Sequence, residues 1–179
     1  REERFWPAIL HSLVNGRTVL MADGCRHAFI MSTEDWDKRP IEEPRTEATV
    51  RGPREGLVED LNSNIALIRR RLRAPELRFE IFTLGRRSRT GIAVVYLEGV
   101  ALEGVLAELR HRLKRIDIDG IISDGYLEEL LEEAPFSPFP QIFRTERPDV
   151  VAAEALQGRI FILTDGSPFA LGVPSDLFL

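Results

Sequence analysis

Arginine is the residue whose clustering in this sequence most suggests chemistry. Lysine occurs only at Lys38 and Lys114, so arginine carries nearly all of the positive charge. Guanidinium groups pair bidentately with carboxylates and stack on rings, which suits them to interfaces, although a genomic codon bias would give the same composition. The candidate interface and joint residues are Arg45, Arg51, Arg54, Glu55, Asn62, Arg69, Arg86, Arg87 and Arg89.

Arg86, Arg87 and Arg89 fall in one short charged turn, which we expect to lie near Arg51, Arg54 and residues 69–71. A solvated face is one interpretation of this cluster. A subunit interface or contact with an acidic lipid surface are the alternatives.

The segment 52–56 precedes a predicted helix and resembles an anion-binding loop only superficially. Pro53 lacks an amide donor, Glu55 would repel an anion, and the spacing is not that of a phosphate-binding loop. The sequence favours a joint here over an anion site.

No catalytic or metal-binding pattern is present in the sequence. The three histidines and Cys25 share no ligand spacing, there is no Gly-x-Ser-x-Gly elbow, and the aspartates near residue 120 do not follow a calcium-loop pattern. We therefore predict a protein that is not an enzyme and has no cofactor and no metal site.

Composition indicates a folded globular chain of one domain or two small ones. The 179 residues are 44% apolar with a net charge of −5, which gives no overall basic field for nucleic acid. No apolar run is long enough for a membrane span, and no signal peptide opens the chain. Because there is no initiator Met and residues 177–179 stop in mid-pattern, we expect a domain cut from a longer protein.

Residues 1–43 predict a small α/β unit. A helix is expected over 3–14 with Phe5, Ile9, Leu13 and Val14 on one face. Strands are expected over 18–22 and 27–31, joined at Asp23-Gly24 by a type I′ turn. Residues 32–41 are polar and irregular.

The clearest amphipathic helix is predicted over residues 55–72. Its apolar stripe is Leu57, Leu61, Ile65, Ile68 and Leu72. Asn62 and Asn64 lie two positions apart and so on different faces. We expect one of them to bond a neighbouring loop and the other to face solvent.

The rest of the chain alternates strands and helices. Strands are predicted over 77–84, 92–97, 118–122, 159–164 and 169–173, and helices over 102–113, after Ser123, and over 149–156. The helix after Ser123 should bury Tyr126, Leu127, Leu130 and Leu131. The proline-rich residues 135–140 interrupt regular structure.

An internal repeat connects the two ends of the chain. Residues 15–24 match residues 157–166 without a gap, with identities at Gly16/Gly158, Arg17/Arg159, Asp23/Asp165 and Gly24/Gly166, and then at Ala28/Ala170. The alternative to a duplication is that any helix–strand–hairpin unit needs Gly and Asp-Gly at these positions, which would give the same identities. We predict an α/β fold with mixed sheets in two subdomains, joined by a linker at 44–56. Residues 1–43 are expected to be the remainder of the first subdomain, and residues 57–179 form the second. Each subdomain ends in a helix–strand–Asp-Gly hairpin unit.

The amino-acid sequence of this chain resembles that of the GerA family of spore germination proteins. The resemblance covers about residues 15–175 and rests on the segments 43–56, 62–71, 85–90, 96–99, 115–121, 137–141, 145–149 and 165–169. It implies the hydrophilic N-terminal part of a nutrient germinant receptor A subunit, which precedes a multi-span membrane domain.

The resemblance also implies partners and a location. The A subunit would act with a nutrient-recognising B subunit and a C lipoprotein in the spore inner membrane. Copies of it would form an ion channel, and this domain would face the spore core. The family supplies no binding-residue motif for this part of the chain.

Two hypotheses of different class follow from the sequence. In the first, the domain is a non-enzymatic module for receptor assembly and signal transduction. The second is a small-molecule-binding module that uses a cleft between the subdomains. The related channel-like protein of the SpoVA operon shares most of these segments and is a further alternative.

Overall fold

The computed structural model describes residues 2–3, 6–14, 17–31, 55–131 and 142–174, which form antiparallel sheets packed against helices. The predicted α/β fold is therefore confirmed. In chain order the elements are β1 (Glu2–Glu3), α1 (Trp6–Val14), β2 (Thr18–Leu20), β3 (Ala28–Met31), α2 (Leu61–Arg71), β4 (Leu77–Leu84), β5 (Thr90–Leu97), α3 (Glu103–Arg115), α4 (Asp124–Leu131), β6 (Phe143–Thr145), α5 (Pro148–Ala155), β7 (Ile160–Thr164) and β8 (Ala170–Val173).

The first sheet has the strand order β1-β3-β2, with Ile9 of α1 and Ala28 and Ile30 of β3 buried. Leu13 was expected in this core but is 43% exposed, and β2 ends two residues before the predicted Ala22. The predicted type I′ turn is wrong. Gly24 has φ +79°, but Asp23 does not have positive φ. A type I′ turn belongs to a two-residue loop, whereas seven residues separate β2 from β3.

The second sheet has the order β4-β5-β7-β8-β6, and every neighbouring pair is antiparallel. Its central strands alternate between two cores. Ile92, Val94 and Tyr96 of β5 pack with α3 and α4, whereas Ala93, Val95 and Leu97 pack with α2 and α5. This confirms the prediction that residues 92–97 form a strand covered on both faces.

Helix α2 begins at Leu61, six residues later than predicted. Asp60 caps it with an extended backbone, and its carboxylate accepts a hydrogen bond from the Ser63 N–H. Leu57 is buried as expected, but it lies in the extended segment before the helix. Backbone N–H and carbonyl groups of residues 57–61 form hydrogen bonds with Glu146, Asn64, Gly166 and Asp165. These bonds hold residues 57–60 outside the helix.

The two ends of the chain share one architecture in one register. Glu3 pairs with Ala28 as Thr145 pairs with Ala170, and Thr18 pairs with Met31 as Ile160 pairs with Val173. Helices α1 and α5 also begin at equivalent positions, Trp6 and Pro148. The constant offset is 142 positions throughout, as between Thr18 and Ile160. The repeat therefore spans a whole β-α-β-β unit, including a first strand in which no residue is identical.

Several predictions fall outside the described residues. These are the irregular loop at 32–41, the proline-rich segment 135–140, the packing of Phe5, and the sites Arg45, Arg51 and Arg54. Of the predicted linker 44–56, only Glu55 and Gly56 are described, so the subdomain boundaries stay a prediction.

Candidate functional site: the arginine turn

Residues 85–89, here called the arginine turn, connect β4 to β5 and are held by backbone hydrogen bonds. The N–H groups of Arg86 and Arg87 donate to the carbonyl oxygens of Ile118 and Asp119, at 2.9 and 2.8 Å. Gly85 has φ +84°, and a Cβ at this position would overlap Ser88 Oγ and lie 3.2 Å from the Gly120 Cα. Glycine is therefore required where the two chain segments approach.

The segment facing the turn was predicted to be a strand over residues 118–122, and this is wrong. Its polar backbone groups bond the turn and the start of β5. The Ile121 N–H donates to Ser88 Oγ at 3.1 Å, and Thr90 Oγ1 donates to the Ile121 carbonyl oxygen at 2.7 Å. The loop 117–121 and the arginine turn thus form one braced unit.

The three guanidinium groups of the turn have different surroundings. Arg86 Nε lies 3.1 Å from a carboxylate oxygen of Asp119 and 3.5 Å from one of Asp117. Arg87 and Arg89 are exposed, and among the described residues neither side chain has an ion-pair partner. Two guanidinium groups on a braced turn can donate hydrogen bonds to carboxylates of a second molecule.

An apolar strip lies next to the arginine turn and was not predicted from the sequence. Ile122 follows the bonded Ile121 and is 81% exposed; Tyr126 and Leu130 are 52% and 40% exposed. The prediction placed Tyr126 and Leu130 in the core, but only Leu127 and Leu131 of α4 are buried there. One residue along a helix is a rotation of about 100°, so Tyr126 and Leu130 turn away from the face that docks. The spacing of Ile122, Tyr126 and Leu130 by four residues was the available signal.

The arginines of α2 belong to a different part of the molecule. Arg70 and Arg71 pair with the two carboxylate oxygens of Glu55 at 2.6 and 2.5 Å, and Arg69 stacks over Phe79 at 4.9 Å. Glu55 was expected in the first turn of the helix, but it lies alongside the last turn because residues 55–60 run back along α2.

The two arginine groups lie at opposite ends of α2. The start of α2 approaches the arginine turn, since Leu61 would contact a Cβ on Gly91, and Gly91 pairs with Thr83. The far end meets Phe79, five residues before Leu84. That is about 17 Å of strand. The expected proximity of residues 69–71 to Arg86, Arg87 and Arg89 is therefore wrong.

Asn64, and not Asn62, holds the junction before α2. Asn64 is fully buried; its Oδ1 accepts from the Val58 N–H at 2.7 Å, and its Nδ2 donates to the Val58 carbonyl oxygen at 2.5 Å. Asn62 is exposed. The prediction that one asparagine bonds a loop while the other faces solvent is confirmed, and Asn62, the candidate interface or joint residue, is the one that is exposed.

Three long-range bonds fix the same junction to the second repeat unit. The Leu57 N–H donates to the Glu146 carbonyl oxygen at 2.7 Å, and the Gly166 N–H donates to the Glu59 carbonyl oxygen at 2.8 Å. The Leu61 N–H donates to Asp165 Oδ1 at 3.2 Å. The Asp-Gly turn between β7 and β8 therefore binds the start of α2 and the residues just before it.

A half-buried polar network joins α3 to the second sheet. Arg110 donates to both carboxylate oxygens of Glu80, at 3.0 and 2.5 Å, and Tyr96 donates to the same carboxylate at 2.7 Å. The hydrogen bond from Arg110 lowers the pKa of Glu80. Burial, and then the bond to Glu80, raises the pKa of Tyr96. Each group is occupied by its neighbours, so the network stabilises packing.

The described residues contain no cluster of three or more His, Cys, Asp or Glu side chains placed to bind a metal ion. Within the same ranges, no helix has the length and apolar character needed to cross a membrane.

With this geometry established, comparison with known proteins decides the family. The family model described as "Bacillus/Clostridium GerA spore germination protein" matches residues 1–179. The chain belongs to the GerA family. The family resemblance seen in segments across residues 15–175 is thus confirmed over the whole chain.

Relatives within the GerA family are similar over nearly the full chain. Spore germination protein KA of Bacillus subtilis (strain 168) is 42% identical over 175 residues, which is 98% of this chain and 32% of that protein. Spore germination protein GerLA of Bacillus cereus is 43% identical over 169 residues, or 94% of this chain and 34% of that protein. Stage V sporulation protein AF of Bacillus subtilis is 36% identical over 167 residues. The chain spans about a third of the length of the two germination proteins.

A solved structure has the same fold. The crystal structure of the N-terminal domain of the A subunit of the Bacillus megaterium spore germinant receptor GerK3 matches with a TM-score of 0.72 and 36% identity. The match covers 100% of this chain and 63% of that one. The chain is therefore structurally similar to part of a germinant receptor N-terminal domain.

Proposed function

We propose that this chain is part of the N-terminal domain of a germinant receptor A subunit and that it acts in spore germination without catalysing a reaction. The observation that carries the proposal is the end-to-end similarity, in sequence and fold, to the corresponding domain of GerK3. The domain would serve receptor assembly and transmission of the nutrient signal.

The whole receptor gives this role its setting. The full-length A subunit would form part of an ion channel in the spore inner membrane, with this domain on the side of the spore core. Its partners would be a B subunit, a C lipoprotein and further copies of the A subunit. Membrane attachment would come from a C-terminal domain outside this chain.

Within that setting, the arginine turn and the strip Ile122, Tyr126 and Leu130 form the proposed contact with a partner protein. Two guanidinium groups that have no ion-pair partner within the described part of the chain, next to exposed apolar side chains, fit a protein segment that presents a carboxylate beside an apolar residue. Glu129 is also exposed on α4, and its negative charge disfavours an anionic lipid surface.

Charge reversal at the turn tests this contact in spores. Arg87→Glu combined with Arg89→Glu should slow nutrient-triggered germination at least tenfold while receptor levels in spores stay at the wild-type value. Arg26→Glu is the matched control, because Arg26 is also an exposed arginine in a loop, and it should germinate at the wild-type rate. Normal germination of the double variant would contradict the assignment of this surface.

The similarity to stage V sporulation protein AF supports one rival interpretation. A receptor subunit responds to particular nutrients. Deletion of the gene should therefore abolish germination with one nutrient and leave germination with other nutrients intact. Slower germination with every nutrient would instead favour a component of a common later step.

A further inference from the structure

An exposed apolar surface lies where β5 leads into α3. Val100, Leu102 and Leu156 are 44%, 53% and 56% exposed. The Leu102 N–H donates to the Gly158 carbonyl oxygen at 3.4 Å, which holds loop 98–102 against the end of α5. A Cβ on Gly158 would lie 2.8 Å from the Val100 carbonyl oxygen, so the two segments are in close contact. The three apolar side chains therefore lie together at one end of the second sheet, as in a surface that binds another protein.

Exposed carboxylates border this surface. The Glu103 side chain is 82% exposed at the start of α3, and its nearest printed cation, Arg110, is 3.7 Å away and already bonded to the β4 carboxylate of the polar network. Glu98 pairs with Arg78, and both side chains are exposed. An exposed pair of this kind contributes little to stability, so Glu98 can exchange Arg78 for another partner. Glu98 and Glu103, with the three apolar side chains, are called the loop patch below.

The arginine turn and its apolar strip have the complementary character at the other end of β5. The exposed Lys114 and Arg115 at the end of α3 add positive charge there, so cations outnumber the neighbouring carboxylates Asp117, Asp119 and Glu129. Strand β5 has eight residues, which separates its two ends by about 24 Å. The arginine turn of one copy therefore cannot reach the loop patch of the same copy.

We propose that the arginine turn and the strip of one copy bind the loop patch of a second copy of this chain, so that copies associate head to tail. Arg87 and Arg89 donate hydrogen bonds to the carboxylates of the loop patch in the next copy. Ile122 packs against Leu102 of that copy, which buries apolar surface on both. The inference rests on the proposed function, in which several copies of the A subunit act together.

Two-fold arrangements differ from the head-to-tail one in what they predict. If either surface met its own counterpart, like charges would face one another. If two copies lay antiparallel, each arginine turn would meet the other's loop patch, and association would stop at the dimer. A head-to-tail pair leaves one arginine turn and one loop patch free, so association continues until a ring closes. A channel built from several copies around one axis needs a contact that repeats in this way.

Cysteine cross-linking of the full-length A subunit in membranes tests the proposal. In a Cys25→Ser background with any other cysteines replaced, Leu102→Cys together with Ile122→Cys should give a ladder of disulfide-linked trimers and larger species on oxidation. Each substitution alone should leave the subunit monomeric. Leu102→Cys with Ile81→Cys is the control and should also stay monomeric, because Ile81 is 60% exposed on β4 and lies on neither surface. Products that stop at the dimer, or dimers from a single substitution, would overturn the proposal, as would the absence of cross-links.

Charge exchange in spores separates this proposal from the proposed function. Glu98→Arg with Glu103→Arg, added to the double arginine variant described above, should raise its germination rate by roughly fivefold or more, because opposite charges again meet between copies. Asp23→Arg is the control, because Asp23 is exposed in the first unit, and it should give no recovery. Slow germination without recovery would overturn the head-to-tail contact and leave the arginine turn as a contact with a different subunit. Normal germination of the double arginine variant would contradict the proposed function, and the cross-linking result then decides the contact by itself.

Discussion

At the scale of single residues, Asn64 is the polar side chain of α2 that lies buried. It bonds both backbone groups of Val58 from inside the protein. Asn64→Ala leaves a donor and an acceptor unpaired, and we expect it to lower the free energy of unfolding by about 2–3 kcal/mol. Denaturant unfolding of the purified domain measures this.

Asn62→Ala is the matched control for that measurement. Asn62 lies on the exposed side of the same helical turn, and Ala has the higher helix propensity. The free energy of unfolding should therefore change by less than about 0.5 kcal/mol. If both substitutions cost the same, the bonds to Val58 do not stabilise the junction.

Glu80 makes the stability of the domain depend on pH in the acid range. The pKa of Glu80 is lowered from 4.5, first by the hydrogen bond from Arg110. A depressed carboxyl pKa contributes stability that is present above the unfolded pKa and is lost as the pH falls through the folded value. Wild-type Tm should therefore approach that of Glu80→Gln as the pH falls from 6 through 4.5 and below.

Arg110→Gln separates this effect from general acid unfolding. It removes the charged hydrogen bond that is the main cause of the lowered pKa, so it should remove most of the same pH dependence. A wild-type Tm profile that stays parallel to those of both variants over this range would rule out Glu80 as the cause.

At the scale of elements, the arginine turn depends on a glycine. Gly85→Ala forces φ +84° on a residue with a Cβ and overlaps Ser88 Oγ, so we expect a loss of about 2 kcal/mol in the free energy of unfolding. Gly104→Ala is the control, because its Cβ meets nothing within 4 Å on α3. It should stabilise the domain by up to about 1 kcal/mol. A neutral Gly85→Ala would show that the turn is not braced against loop 117–121.

Local pattern predicted some elements well and failed at others for identifiable reasons. Strand β4 was predicted residue for residue from its alternating sequence, although its burial does not alternate in the same way: Leu77 packs in the core with α2, and Leu84 packs in the core with α3. The start of α2 was missed because Asp165, 104 positions away, receives its first N–H. The strand expected over 118–122 failed because its polar groups bond a turn, and the sequence does not state that proximity.

At the scale of the whole molecule, the candidate site was only partly predictable. Exposure of Arg87 and Arg89 follows from their place in a charged turn. The internal pairing of Arg70 with Glu55 does not, because a chain that reverses direction brings the two together. The repeat was visible in five identities, but its first strand shares none, since strand pairing uses backbone groups that any residue carries.

The junction 57–61 also decides how the domain would carry force. Over five residues it is tied to the Glu146 carbonyl, the Gly166 amide and the Asp165 carboxylate, with Asn64 as a fourth tie from within α2. A pull on the chain before Leu57 is therefore resisted by bonds to residue 146, to the β7–β8 turn and to Asn64. The displacement would pass as a rigid push or pull to β6 and the β7–β8 turn before α2 could unwind.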